Sequence, residues 1–148
     1  MIRSIAIAGT LAAIYSCGPG EERARFLVPD STATVVVTRD STHAVLAEYE
    51  RRAIVELDGI SSGHQLLFPD TGGYSRTNLY QLDARKALLR DADGSDTIDL
   101  STGRITKDAM RQPANGRFLG SFDTDDPHTW RFIPASERGE LPTEFRGG

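Results

Sequence analysis

The sequence predicts an all-β fold, either a small antiparallel sandwich or a partly closed barrel, behind an N-terminal segment of different composition. Three observations predict this fold class. After residue 30 the chain contains short runs in which apolar and polar residues alternate or β-branched residues accumulate. Turns rich in Asp, Gly, Ser and Pro separate these runs. No segment keeps the 3.6-residue apolar period of a long helix.

Each predicted strand follows from one of these runs. "ATVVVTR" is β-branched, "TNLYQLD" alternates with a period of two, and "DTIDLSTGRITK" contains two strand patterns around a turn. The predicted strands lie within Ala33–Arg39, His43–Glu50, Ala53–Gly59, His64–Pro69, Thr77–Asp83, Lys86–Asp91, Asp96–Lys107, Arg117–Asp123 and Thr129–Pro134. The predicted core is Val35, Val37, Val45, Ile54, Leu57, Leu67, Leu79, Leu82, Leu88, Ile98, Leu100, Ile105, Phe118, Phe122, Trp130 and Phe132.

The N-terminal segment "MIRSIAIAGTLAAIYS" has the proportions of a secretory signal peptide. Arg3 supplies a positive charge, and Ile5–Tyr15 is an uncharged run with the length of about 7–15 residues that such signals use. A membrane-spanning helix needs about 20 apolar residues, so the run is too short for one. A buried N-terminal helix is the alternative interpretation.

The residues "IYSC" at the end of this segment resemble the lipobox of bacterial lipoproteins. Ile14 stands at the aliphatic position, Ser16 at the small position and Cys17 at the cysteine. Tyr15 departs from the small residue that is usual there. The resemblance implies that Cys17 is the lipidation site, carries acyl chains such as palmitate, and binds a lipid bilayer as partner. Gly18, in place of an aspartate, favours the outer membrane of the cell envelope over the inner one.

These features divide the chain into four predicted parts. They are a signal peptide over 1–16, a lipidated tether over 17–30, an antiparallel β domain over 31–134 and a polar C-terminal tail over 135–148. With 17 basic and 21 acidic residues the formal net charge is −4, which argues against a nucleic-acid partner, since such partners are bound by basic surfaces. The single cysteine excludes a disulfide within the chain.

One motif predicts a catalytic residue. Asp70-Thr71-Gly72 resembles the Asp-Thr-Gly of retropepsin-like aspartic proteases, which implies a dimer with Asp70 as catalytic residue because that chemistry needs two aspartates sharing a proton. Pro69 and Gly73 depart from the family pattern. The same residues also fit a Pro-Asp-x-Gly-Gly turn, in which Pro fixes φ and the glycines accept positive φ.

Two acidic loops, "DADGSDTID" and "DTDDPH", are candidates for calcium binding. In the first loop Asp91, Asp93 and Ser95 supply oxygen ligands at alternate positions, as a calcium loop requires. A hairpin turn explains the same composition through Asx-turns and glycine. The three histidines, His43, His64 and His128, lack metal-ligand spacing.

The sequence therefore predicts a membrane-anchored envelope lipoprotein with a non-enzymatic binding or accessory domain and no cofactor. Its partner besides the bilayer is an envelope protein or ligand whose identity the sequence does not give. The alternatives are an aspartic protease dimer and a calcium-stabilised extracellular module.

Overall fold

The computed structural model describes residues 20–42, 48–68, 76–108, 112–125 and 129–143, and these residues form two antiparallel sheets. The strands are β1 Glu21–Leu27, β2 Ala33–Ser41, β3 Tyr49–Leu57, β4 Ile60–Leu66, β5 Thr77–Gln81, β6 Lys86–Arg90, β7 Ser95–Asp99, β8 Ile105–Asp108, β9 Arg117–Asp125 and β10 Thr129–Pro134. Within the described ranges the chain has no helix of the length and apolarity needed to cross a membrane.

The first four strands form one sheet in chain order, β1-β2-β3-β4. Its β3–β4 hairpin closes through Asp58 and Gly59, which both have positive φ, at 49° and 80°. Two central residues with positive φ define the two-residue turn whose twist matches that of antiparallel strands, and Asp-Gly is a favoured pair for it. A bulge opposite Val55/Glu56 adds one residue, Ser62, to β4 relative to β3.

The other six strands form a second sheet in the order β10-β9-β5-β6-β7-β8. Strands β5 to β8 are consecutive hairpins, and β9 returns to pair with β5 on their far side. The pairing of β5 with β9 shifts register at Leu79/Tyr80. Strand β10 then forms the edge beside β9.

The two sheets stack face to face and enclose one apolar core. Phe26 of β1 stacks on Phe132 of β10 with 4.0 Å between ring centroids, and Phe132 meets Phe122 edge to face at 4.9 Å. Strand β1 thus lies along β10, while β4 lies along β8 on the opposite side. The predicted all-β class is confirmed, and the architecture is a small sandwich whose sheets do not close into a barrel.

Most of the predicted core lies between the sheets. Eight predicted residues belong to the buried core, namely Val35, Val37, Leu67, Leu79, Ile98, Leu100, Phe122 and Trp130. Leu57, Ile105 and Phe132 pack against it while partly buried. Leu88 is buried but lies on the outer face of the six-stranded sheet, because Ala87 and Leu89 on either side of it point into the core. Val45 lies outside the described residues.

The β domain begins earlier than the sequence predicted. The segment predicted as a tether, 17–30, contains β1, which pairs with β2 along its whole length. The charged side chains of Arg23 and Arg25 face outward, and Ala24 and Phe26 face the core. Only two core-facing residues of this strand are apolar, and most of the others are charged, so the alternation of apolar and polar residues that predicts a strand is weak here.

The segment predicted as a polar tail also packs in part on the sandwich. Residues 135–143 run across the outer face of the six-stranded sheet, where Glu140 accepts a 2.7 Å hydrogen bond from the hydroxyl of Tyr80. Asn78 donates to the carbonyl of Leu141, and Thr143 is buried. Burial, and then the hydrogen bond to Glu140, raise the pKa of Tyr80 to about 12.

Candidate functional site

Two residues singled out in the sequence lie outside the described part of the chain. These are Cys17, the predicted lipidation site, and Asp70, the predicted protease aspartate. His43 and His128 lie outside it as well. Phe68 and Arg76 are the described residues on either side of the segment that contains Asp70.

The structure does not bring Asp91, Asp93 and Ser95 together around one point. Asp91 points between the sheets, where its Oδ1 accepts hydrogen bonds from Thr77 and Arg51. Ser95 lies on the outer face of the sheet and accepts a bond from the backbone N–H of Gln112. Asp93 is exposed on the turn between them. In the described ranges, no group of three or more His, Cys, Asp or Glu is placed to hold a metal ion.

The interior of the sandwich has one polar end, defined by Arg39, Arg51, Asp91 and Asp96. Arg51 extends from β3 across the interior, and its guanidinium donates to Thr77 at 2.6 Å and to Asp91 at 3.1 Å. Arg51 is 3% exposed and Asp91 is 2% exposed. A buried ion pair of this kind is tolerated only where further hydrogen bonds satisfy it, and the carbonyl of Phe68 accepts another bond from Arg51.

Arg39 lies directly across the β2–β3 ladder from Arg51 and makes a separate bridge between the sheets. Its guanidinium donates to Glu22 on β1 at 2.5 Å and to Thr124 on β9 at 2.6 Å. The same group lies 4.8 Å from the ring of Trp130, a cation–π distance. These contacts give Arg39 a structural role in joining three strands.

Asp96 is the one carboxylate of the polar end without a hydrogen-bond partner among the described residues. It is 0% exposed, and neither of its oxygens is bonded. Burial, and then the charge of Asp91, raise its pKa to about 6, while Lys107 acts in the opposite direction. Lys107 lies directly across the ladder from Asp96, with its ammonium 2.6 Å from the carbonyl oxygen of Leu66 and 4.2 Å from the ring centroid of Phe68.

A groove on the outer face of the six-stranded sheet combines polar and apolar side chains. Residues 112–116 cover the sheet at one side of it, and residues 135–143 cover β5 beyond. Gln112 anchors the first cover through Ser95 and through Asp108. An added Cβ at Gly116 would lie 2.5 Å from the carbonyl oxygen of Gln81, so this approach requires glycine.

The groove consists of two adjoining pockets of about 370 and 410 Å³ that share Lys86 and Thr97. The first pocket is lined on its apolar side by Leu82, Leu88 and Pro113. The second is lined by Lys86, Thr97, Asp99, Arg104 and Thr106. Its floor consists of side chains from paired strands, and cavities of this size accept small molecules.

Two cations in the groove have no carboxylate partner within the described chain. Lys86 and Arg104 form no ion pair there, although most of the other described arginines do. Asp99 lies opposite Lys86 in the ladder, but its Oδ1 accepts from the hydroxyl and backbone N–H of Ser101 and from the N–H of Thr102. These hydrogen bonds, with the Ser101 hydroxyl first, hold the pKa of Asp99 below its usual value.

A serine–histidine contact elsewhere does not form a catalytic site. Ser61 Oγ lies 2.9 Å from His64 Nε2, on the edge strand β4. Both residues are exposed, and the contacts of the described residues include no carboxylate that orients the imidazole. A nucleophile and base need such an orienting group and a cleft for substrate.

The groove and the two buried arginines were not predicted from the sequence. Thr97 and Thr106 are outward positions of ordinary strands, and such residues have the same pattern whether or not they line a cavity. Arg39 is the last residue of one predicted strand and Arg51 lies between two others, and charged residues at such positions are usually exposed, so the sequence contains no signal of their burial. Comparison of the chain with protein-family models, with curated proteins and with solved structures finds no match in any of the three.

Proposed function

We propose that this chain is a lipid-anchored, non-enzymatic binding domain of the bacterial cell envelope, and that its groove is the ligand site. The observation that carries the binding role is the groove itself, where polar and apolar side chains line a cavity floored by hydrogen-bonded strands. Such a floor holds its side chains in place without a ligand, which lowers the entropic cost of binding. The lipobox-like "IYSC" supports the anchor.

The position of β1 indicates which end of the sandwich the proposed anchor would hold near the bilayer. Cys17 precedes Glu21 by four residues, which span at most about 14 Å. The start of β1 is at the polar end, because Glu22 bonds to Arg39 there. A bilayer holding Cys17 would therefore face the polar end, and the Lys86 and Arg104 pocket at the opposite end of β6–β8 would point away from it.

The anchor is tested by the intact mass of the full chain from the membrane fraction of a bacterial host. The expected mass is that of a chain starting at Cys17 with three acyl chains, and it is lost in Cys17→Ala. An unmodified chain that keeps Met1 would contradict the anchor but would leave the binding role standing.

The binding role is tested by melting the full chain with a panel of neutral, cationic and anionic small molecules. A ligand that binds only the folded state raises the melting temperature by mass action. At least one chemical class is expected to do so, and Thr97→Trp, which fills the groove, is expected to abolish the rise. Thr32→Trp, on the exposed β1–β2 turn of the other sheet, is the matched control. No rise with any class, or an equal rise in Thr97→Trp, would refute the binding role.

A further inference from the structure

We propose that the groove takes an anionic, hydroxyl-bearing small molecule, with the carboxylate or phosphate of this molecule between Lys86 and Arg104. The inference rests on the proposed binding function and specifies its ligand class. Both cations line the 410 Å³ pocket, Lys86 from the start of β6 and Arg104 from the turn that precedes β8. An anion held by both would form charge-assisted hydrogen bonds, which are about twice as strong as neutral ones.

Lys86 and Arg104 are the two cations lining this pocket, and like Arg85, Arg90, Lys107 and Arg117 they form no ion pair within the described residues. Overall the protein carries a net charge of −4, and its described arginines mostly pair with carboxylates of their own chain. Arg25 pairs with Glu56, and Arg138 with Asp123. In the described ranges Lys86 and Arg104 form no ion pair with this supply of acidic residues, which leaves their charge available to a ligand.

The carboxylate opposite Lys86 in the ladder, that of Asp99, is held away from this role by the β7–β8 turn. Asp99 Oδ1 accepts three hydrogen bonds, at 2.9 Å from Ser101 N–H, 2.6 Å from its hydroxyl and 3.1 Å from Thr102 N–H. The carboxylate therefore closes the turn in place of forming an ion pair with Lys86. Asp99 also lines the same pocket, and a carboxylate can accept a hydrogen bond from a ligand hydroxyl.

The remaining lining residues define the body of the ligand. Thr97 and Thr106 lie side by side on β7 and β8 and present hydroxyls that both donate and accept. The adjoining pocket adds the apolar surfaces of Leu82, Leu88 and Pro113. A compact molecule with hydroxyls along one edge, an apolar face and one acidic group matches this combination.

The test uses three probes that differ in one substituent, namely glucose, glucuronate and glucose 6-phosphate. Calorimetric titration of the full chain is expected to give at least about tenfold tighter binding for one or both anionic probes than for glucose. The double variant Lys86→Gln/Arg104→Gln is expected to lose this difference, and Arg85→Gln, a neighbouring exposed cation outside the groove, to keep it. The preference for glucuronate or for glucose 6-phosphate then distinguishes a carboxylate ligand from a phosphate.

Three outcomes would overturn the ligand class. They are equal binding of glucose and the anions, an unchanged preference in the double variant, and no binding of any probe. An equal loss in Arg85→Gln would also overturn it, since the effect would then be one of general surface charge. The proposed function fails separately, because Thr97→Trp tests the groove with ligands of every charge.

Discussion

The two ends of the sandwich interior are closed in opposite ways. At the end that holds the β3–β4 and β7–β8 turns, the two hairpins approach closely through glycine, and the backbone of Gly63 lies against the carbonyl of Gly103. At the polar end, charged side chains span the gap, with Arg39 and Arg51 reaching from one sheet to the other. One end is thus closed by close backbone approach, and the other by ionic and hydrogen-bonded contacts over longer distances.

This difference shows where the sandwich can tolerate change. A substitution that adds atoms at a close backbone contact destabilises the fold by steric overlap, which does not depend on pH. A buried charge destabilises the fold when its partner is removed or when a proton is gained or lost. The predictions that follow separate the two ends by these criteria.

The largest expected effect is at the polar end. Arg51→Ala removes the guanidinium that bonds to Asp91 and leaves a buried carboxylate without its cation. The free energy of unfolding is expected to fall by about 3–5 kcal/mol in urea titrations. Arg52→Ala, on the same strand with a side chain that is 61% exposed, is the control and is expected to change it by less than about 1 kcal/mol. Equal losses in both variants would contradict the distinction.

The second prediction is an increase in the free energy of unfolding, on replacement of Asp96. Asp96 has a pKa of about 6 in the folded chain and 3.8 as its ordinary value. Because the folded pKa is raised, the protonated side chain supports the fold below about pH 4, and this contribution is lost as the pH rises through about 6. The difference of about two pKa units corresponds to about 3 kcal/mol, so Asp96→Asn is expected to raise the free energy of unfolding by up to that amount at pH 8.

The pH dependence distinguishes this explanation from a general packing effect. The stabilisation by Asp96→Asn is expected to disappear at pH 3.5, where the wild-type carboxyl is protonated in both states. Asp93→Asn on the exposed turn is the control and is expected to show no such dependence. A gain of the same size at both pH values would refute the role of the buried charge.

The smallest effect is at the other end. A Cβ at Gly63 would overlap the carbonyl oxygen of Gly103 on the opposing hairpin, so Gly63→Ala forces the two turns apart. The expected loss is about 1–3 kcal/mol at every pH, measured by thermal or urea unfolding. Gly139→Ala has open space around the new Cβ and serves as control. An unchanged stability in Gly63→Ala would show that the hairpins separate without cost.

Much of the fold could be predicted from the sequence because its signals are local. The alternation in "TNLYQLD" specifies β5 through neighbouring residues alone, whereas β4 begins at Ile60, four residues before the strand predicted at His64–Pro69. Strand β1 was not predicted from the sequence, because most of its residues are charged and only Ala24 and Phe26 are apolar residues that face the core. Its assignment depends on pairing with β2, which is a tertiary effect.

The candidate groove could not be predicted, since it is formed by residues that the chain order separates. Lys86 and Arg104 belong to different hairpins, and the cover that contains Gln112 follows β8. Their proximity depends on the order of strands in the sheet and on the register of β7 against β8. The apolar periodicity of the sequence specifies neither the order of the strands nor their register.

The pairing of β5 with β9 has a consequence for the order of folding. The first sheet consists of consecutive hairpins, whereas Asn78 and Ser121, which bond to each other, are 43 residues apart. Non-local pairings form slowly because the intervening loop must close first. The core also needs Phe122 and Trp130 from the last strands, so the sandwich cannot close until nearly the whole chain is available. A chain exported as proposed would thus stay open while it is still being threaded through the membrane.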